Sequence, residues 1–122
     1  MKPNFKPGSN IAIKVPAHQY EQTVSFYRGI LGSEQISHPT AGTSKFVALK
    51  FSDKNLWIDD TASLSRAEIW LEIQTDDVDA AAATFKEANI ARRDEIEALP
   101  DNFSGFWICS PADIIHRVTE QK

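Results

Sequence analysis

Six residues combine the types needed to hold a small molecule: Asn10, Lys14, Trp57, Trp70, Glu72 and Arg117. An indole can bury roughly 150–250 Å², and stacking on a planar ring adds ~0.5–1.5 kcal/mol beyond area. Lys14 and Arg117 suit an anionic substituent, the planar guanidinium matching a carboxylate or phosphate bidentately, while Glu72 accepts from a donor. Glu68 or Glu72, desolvated beside the indoles, could serve as a general base with a raised pKa, an effect that neighbouring cations oppose. Structural alternatives stand beside each reading. The two tryptophans could instead fill space between modules or at a subunit contact, Lys14 and Glu72 could pair across neighbouring strands, and Arg117 could neutralise Glu68 or Glu72. Of the histidines, His18 lies at a helix entry, His38 in a surface strand, and His116 points away from Arg117 if their strand is regular. Trp107 has no readable facing. There is no phosphate-cradling glycine loop, nucleophilic serine motif or paired-cysteine motif.

These residues must be positioned by strands, because they alternate with aliphatic ones. Asn10 and Lys14 interleave with Ile11, Ile13 and Val15, and Glu68, Trp70 and Glu72 interleave with Ile69, Leu71 and Ile73. The two segments repeat at an offset of about sixty residues, each followed by a helical pattern: Tyr20, Val24, Tyr27 and Leu31 in the first copy, Val78, Ala82 and Phe85 in the second. The spacing predicts a first strand over about 10–16 and a helix over about 19–31 closed by Gly32, with residues 1–9 an arm. Strands follow near 34–39, 45–52 and 55–59, separated by Pro39-Thr40-Ala41-Gly42 and the tip Ser52-Asp53-Lys54. The second copy has a strand over 68–75, a helix started by Thr75, Asp76 and Asp77 and ended by Asn89, and strands near 91–98, 104–109 and 114–120. Asp113 suits a turn that needs positive φ. The expected architecture is one α+β domain over residues 1–122, with module one at about 9–60 and module two at about 67–120.

Composition bounds the partners. The chain of 122 residues is 42% hydrophobic and 25% charged, long enough to bury a core without a disulfide or structural metal. A net charge of -4 with no clustered basic stripe argues against binding a phosphate backbone, so no nucleic acid is expected. No apolar run approaches the roughly twenty residues that cross a bilayer, and the start lacks the apolar stretch of a signal peptide, so no membrane is expected and the protein is read as cytoplasmic. Cys109 is the single cysteine and reads as a small buried side chain.

The segments N-I-A-I-K-V-P, T-V-S-F-Y-R-G-I-L-G, W-L-E-I-Q-T-D-D-V-D-A-A and F-W-I-C-S-P-A-D-I-I-H-R-V resemble the vicinal oxygen chelate superfamily, the group of glyoxalase I, extradiol dioxygenases and bleomycin-resistance proteins. That resemblance implies two βαβββ modules forming a curved mixed sheet around a central cavity, helices outside, and a homodimer. It also implies a divalent metal held by His or Glu from the first and last strands of each module. Carried over singly, those positions fall on Asn10, Trp57, Trp70 and Arg117. None is a usual ligand, since such metals need carboxylate, imidazole or thiolate donors. At ~4 Å and an effective dielectric of ~20 a unit pair interacts by roughly 4 kcal/mol, and Arg117 would repel a divalent ion about twice as strongly. A register slip would bring in Glu68, Glu72, Asp59 or His116 instead. The expectation is therefore a pocket with no metal or other cofactor that binds a small, ring-containing organic molecule. The alternatives are a metal-dependent lyase or dioxygenase with displaced ligands, and a non-catalytic dimeric interaction module.

Overall fold

The alternation of aliphatic and polar residues becomes eight strands, which with two α-helices make an α+β fold in the computed structural model, where residues 2–36 and 45–121 are described. Each half runs strand, helix, three strands: β1 (Phe5–Val15), α1 (Ala17–Val24), β2 (Gln35–Ile36), β3 (Phe46–Phe51) and β4 (Lys54–Asp60), then β5 (Glu68–Thr75), α2 (Val78–Glu87), β6 (Ala91–Arg92), β7 (Gly105–Cys109) and β8 (Ile115–Glu120). The predicted turn at residues 39–42, the end of the strand before it and His38 lie outside the described residues.

The chain forms two compact units, residues 9–70 and residues 1–8 with 71–122. In the first the strand order is β2-β3-β4-β1, with β1 parallel to β4 and the other pairs antiparallel. Val15, Val47, Leu49, Leu56 and Ile58 form the core against Tyr20 and Val24 of α1. The helix thus covers the aliphatic face of its sheet, and the opposite face carries Asn10, Lys14, Asn55, Trp57 and Asp59. In the second unit the order is β5-β8-β7-β6, again with one parallel pair, and Phe106, Ile108 and Val118 pack against Ala81 of α2.

The repeat has a measurable register. Thr61 donates to the Val15 carbonyl and Gln121 to that of Thr75, both at 2.7 Å, so the strand exits correspond at an offset of sixty. Asn10 is then the counterpart of Trp70, and Trp57 of Arg117.

Three boundaries differ from expectation. Residues 5–9 are the start of β1 and not an arm. Asn4 donates to Asp76 through both its backbone N–H and its carboxamide at 2.8 Å, and the Phe5 ring lies 5.3 Å from that of Phe85, so the segment is anchored to module two. The predicted first helix is α-helical only to Val24 and continues as π-helical turns over Ser25–Ile30, where Leu31 bonds back to Phe26, before Gly32 ends it at φ 72°. The strand expected over 91–98 stops at Arg92. There the Asp94 carboxylate takes the Trp107 N–H at 3.0 Å, replacing a backbone acceptor and ending the ladder. Of the predicted starters of α2, Asp77 caps Ala80 at 3.0 Å, whereas Asp76 is diverted to Asn4. Asn89 and Asp113 do adopt positive φ.

The two hydrogen bonds from Asn4, the backbone one first, hold the Asp76 carboxyl below its ordinary range. A depressed folded-state value means the contribution is complete above the unfolded value of about 3.9 and vanishes as pH falls through the lower folded one. Acidification from about pH 3.9 downward, through the lower folded value, should therefore release residues 2–8 before global unfolding, seen as faster exchange of the Asn4 amide. Asp76→Asn should produce the same faster exchange at neutral pH. An Asn4 amide equally protected in both proteins and at both pH values would contradict the anchoring.

Candidate functional site

Four of the six sequence-predicted residues, Asn10, Lys14, Trp57 and Trp70, lie in the unit of residues 9–70, and strand register accounts for three of their placements. Because β1 and β4 are parallel with Asn10 opposite Asn55, Ala12 opposite Trp57 and Lys14 opposite Asp59, all these side chains share the face away from α1. The Asn10 carboxamide oxygen accepts from Trp57 Nε1 at 2.8 Å and from Asn55 Nδ2 at 3.2 Å. The Trp57 ring lies 5.5 Å from Phe46, tilted by 43°. Lys14 Nζ donates to Asp59 at 2.7 Å and sits 4.3 Å from the centre of the Trp70 ring, whose Nε1 donates to Glu68 at 3.0 Å. A lysine side chain only 8% exposed is held charged-pair fashion between a carboxylate and an indole face.

Glu72 and Arg117 belong to the other unit. Their strands are also parallel and in register, and Arg117 donates to Glu72 at 2.8 Å while its guanidinium lies 5.2 Å from the Phe103 ring. Of the alternatives left open for Arg117, neutralising Glu72 is therefore realised. Gly8 makes room for this carboxylate, since a Cβ there would collide with the Glu72 side chain. Trp107 stands opposite Arg117, but it is 3% exposed and donates to the Glu97 carbonyl at 3.0 Å, a structural placing. His116 alternates away from Arg117, with Nδ1 3.0 Å from the Ile114 carbonyl, and His18 is exposed at the start of α1. Cys109 is buried.

Sequence reasoning gave too little weight to Asp59, Phe46 and Asn55. Asp59 is two residues from Trp57 on one strand, a period-two signal that places both on the same face. Phe46 and Asn55 are recognisable only once the partner strands are known.

The metal positions implied by the resemblance do not fit a divalent ion. Asn10 offers one neutral oxygen that already accepts two hydrogen bonds, the indoles of Trp57 and Trp70 offer no donor pair, and Arg117 is a cation. The carboxylates that a slip would recruit are engaged as well: Glu68 with Trp70, Asp59 with Lys14 and Glu72 with Arg117. Among the described residues no group of three or more His, Cys, Asp or Glu could hold a metal ion.

No family model matches the sequence, and no curated protein does. Solved structures do match by shape. A hypothetical protein from Bacillus halodurans C-125 is 14% identical with a TM-score of 0.69, covering 98% of this chain and 96% of its own. The Mn(II)-bound glyoxalase from Novosphingobium aromaticivorans is 16% identical with a TM-score of 0.70, over 97% of this chain and 40% of that one. Methylmalonyl-CoA epimerase from Mycobacterium tuberculosis is 13% identical with a TM-score of 0.61, over 93% of this chain and 87% of that one. The fold is that of the vicinal oxygen chelate superfamily. The chain has the same paired βαβββ plan as these structures, while the residues at the implied metal positions are Asn, Trp, Trp and Arg. Among the described residues no helix is long and apolar enough to cross a membrane.

Proposed function

We propose that this chain is a binding protein of the vicinal oxygen chelate fold, similar to the bleomycin-resistance branch, that holds a small ring-containing molecule without a metal. The observation carrying this reading is a pair of partly buried indoles held by polar side chains, with Lys14 fixed over the Trp70 ring and Asn10 fixing Trp57. Trp57 and Trp70 supply stacking surface, Asn10 a carboxamide, and Lys14 a cation for an anionic substituent. Arg117 and Glu72, in their own unit, carry the corresponding anion-binding and donor-accepting chemistry, and their variants are assayed separately. A cytoplasmic homodimer completes the proposal.

Titration of the purified protein with aromatic carboxylates, indole-3-acetate and salicylate among them, tests it by calorimetry and indole fluorescence. Trp57→Ala and Trp70→Ala should each weaken binding about tenfold, equivalent to ~1.4 kcal/mol and in the range expected for a lost stacking partner. Unchanged affinity in both variants would remove the basis of the reading. Elemental analysis of protein prepared without chelator separates it from a metal-dependent lyase or dioxygenase, which requires stoichiometric metal.

One observation favours a second reading, a dimeric interaction module. Each indole already has protein partners, Phe46 and Asn10 for Trp57, Glu68 and Lys14 for Trp70. In that case indole fluorescence ignores every aromatic carboxylate and changes on dilution.

A further inference from the structure

The unit of residues 1–8 and 71–122 contains a cavity of about 390 Å³ between α2 and the sheet, on the side away from Arg117. Its origin is visible in the sequence. Four consecutive alanines, Ala80 to Ala83, form the middle of α2; Ala81 is fully buried against the sheet and Ala82 packs on the same cluster, and Ala82 and Ala83 place only methyl groups along the wall that they share with Phe106 and Ile108 of β7. Phe85 closes the wall. The cavity opens to solvent past the exposed Ala83, Lys86 and Arg92, and its volume falls within the ~300–1,000 Å³ of small-molecule sites.

The two charged residues of its lining are both cations. Lys86 and Arg92 both line the cavity, and no lining residue is acidic. Arg92 is held in place from two sides, its guanidinium 4.6 Å from the Phe106 ring and its Nε donating to Asp94 at 2.6 Å. Lys86, in the last turn of α2, has no ion-pair partner among the described residues. The helix carbonyls that would otherwise repel an anion are partly satisfied, because Asn89 donates to Lys86 and Ile90 to Phe85. An apolar slot with an ammonium and a guanidinium at its mouth is complementary to an amphipathic monoanion.

We propose that this cavity binds a medium-chain carboxylate, its alkyl chain lying between α2 and β7 and its head group between Lys86 and Arg92. The site shares no residue with the aromatic face around Trp57 and Trp70, so it stands or falls independently of the function proposed above.

Sodium decanoate is the probe, with decan-1-ol as its uncharged counterpart, each titrated into isotopically labelled full-length protein. Decanoate should shift the amides of Ala82, Ala83 and Ile108 and bind more tightly than the alcohol. Lys86→Glu should weaken decanoate at least about tenfold, the loss expected for one charge-assisted contact, and leave the alcohol unaffected. Ala83→Trp, filling the slot from an exposed helix position, should block both. Absence of decanoate binding, shifts confined to other regions, or equal decanoate affinity in the parent and Lys86→Glu would each overturn the assignment.

Discussion

Asp59→Ala should lower the unfolding free energy by about 3 kcal/mol, measured by urea denaturation, because it removes the carboxylate that lies 2.7 Å from a buried ammonium. Lys14 is 8% exposed at its side chain and its partner 23%, so the cost belongs at the lower end of the ~3–5 kcal/mol seen when one member of a buried pair is removed. The double replacement Lys14→Met with Asp59→Leu should be close to the parent or more stable, since it removes both charges and keeps volume, and a thioether still contacts the Trp70 face. The cycle therefore predicts strong coupling between the two positions. A single-variant loss below about 1 kcal/mol would mean that Lys14 swings into water, as exposed pairs permit. The same pair bears on binding. Asp59 competes with any anionic ligand for Lys14, so Asp59→Ala protein that remains folded should bind aromatic carboxylates more tightly than the parent.

Lys14 also marks where the sequence stops being readable. The alternation of Ile11, Ile13 and Val15 with Asn10 and Lys14 was enough to place Lys14 on the polar face, because that depends only on the two-residue period of a strand. Its partner depends on which strand lies alongside and in what register. The parallel pairing of β1 with β4 sets Asp59 opposite Lys14 and gives the 2.7 Å contact, which the residue types alone do not specify. Chain punctuation was legible for the same local reason: Gly32, Asn89 and Asp113 each take the positive φ their residue types favour. Long-range substitutions of one acceptor for another were not. Asp94 ends β6 by accepting from Trp107, and Asp76 leaves its helix to anchor Asn4, both contacts between residues distant along the chain. Pro7 and Gly8 read as breakers, yet they lie within β1, and Gly8 is needed because Glu72 occupies the space of its missing Cβ.

Phe106→Ala should cost about 3–5 kcal/mol in the same denaturation assay, the loss of a large buried aromatic plus the cavity left behind. Its ring is 1% exposed, meets Phe85 edge-on at 6.2 Å and 73°, and joins Ala81, Ile108 and Val118 in the core of its unit. Ala81 and Ala82 of α2, which pack on this core, carry only methyl groups with which to fill the vacated space. The ring also supports Arg92, so the substitution removes one of the two contacts that hold the guanidinium at the mouth of the α2 cavity. Phe106→Leu separates these roles: it restores most of the volume and should recover all but about 1–2 kcal/mol, without restoring the aromatic surface under Arg92. If Phe106→Ala lost less than about 1 kcal/mol, the ring would not be part of a packed core, and the argument that α2 leaves a preformed cavity above it would fail with it.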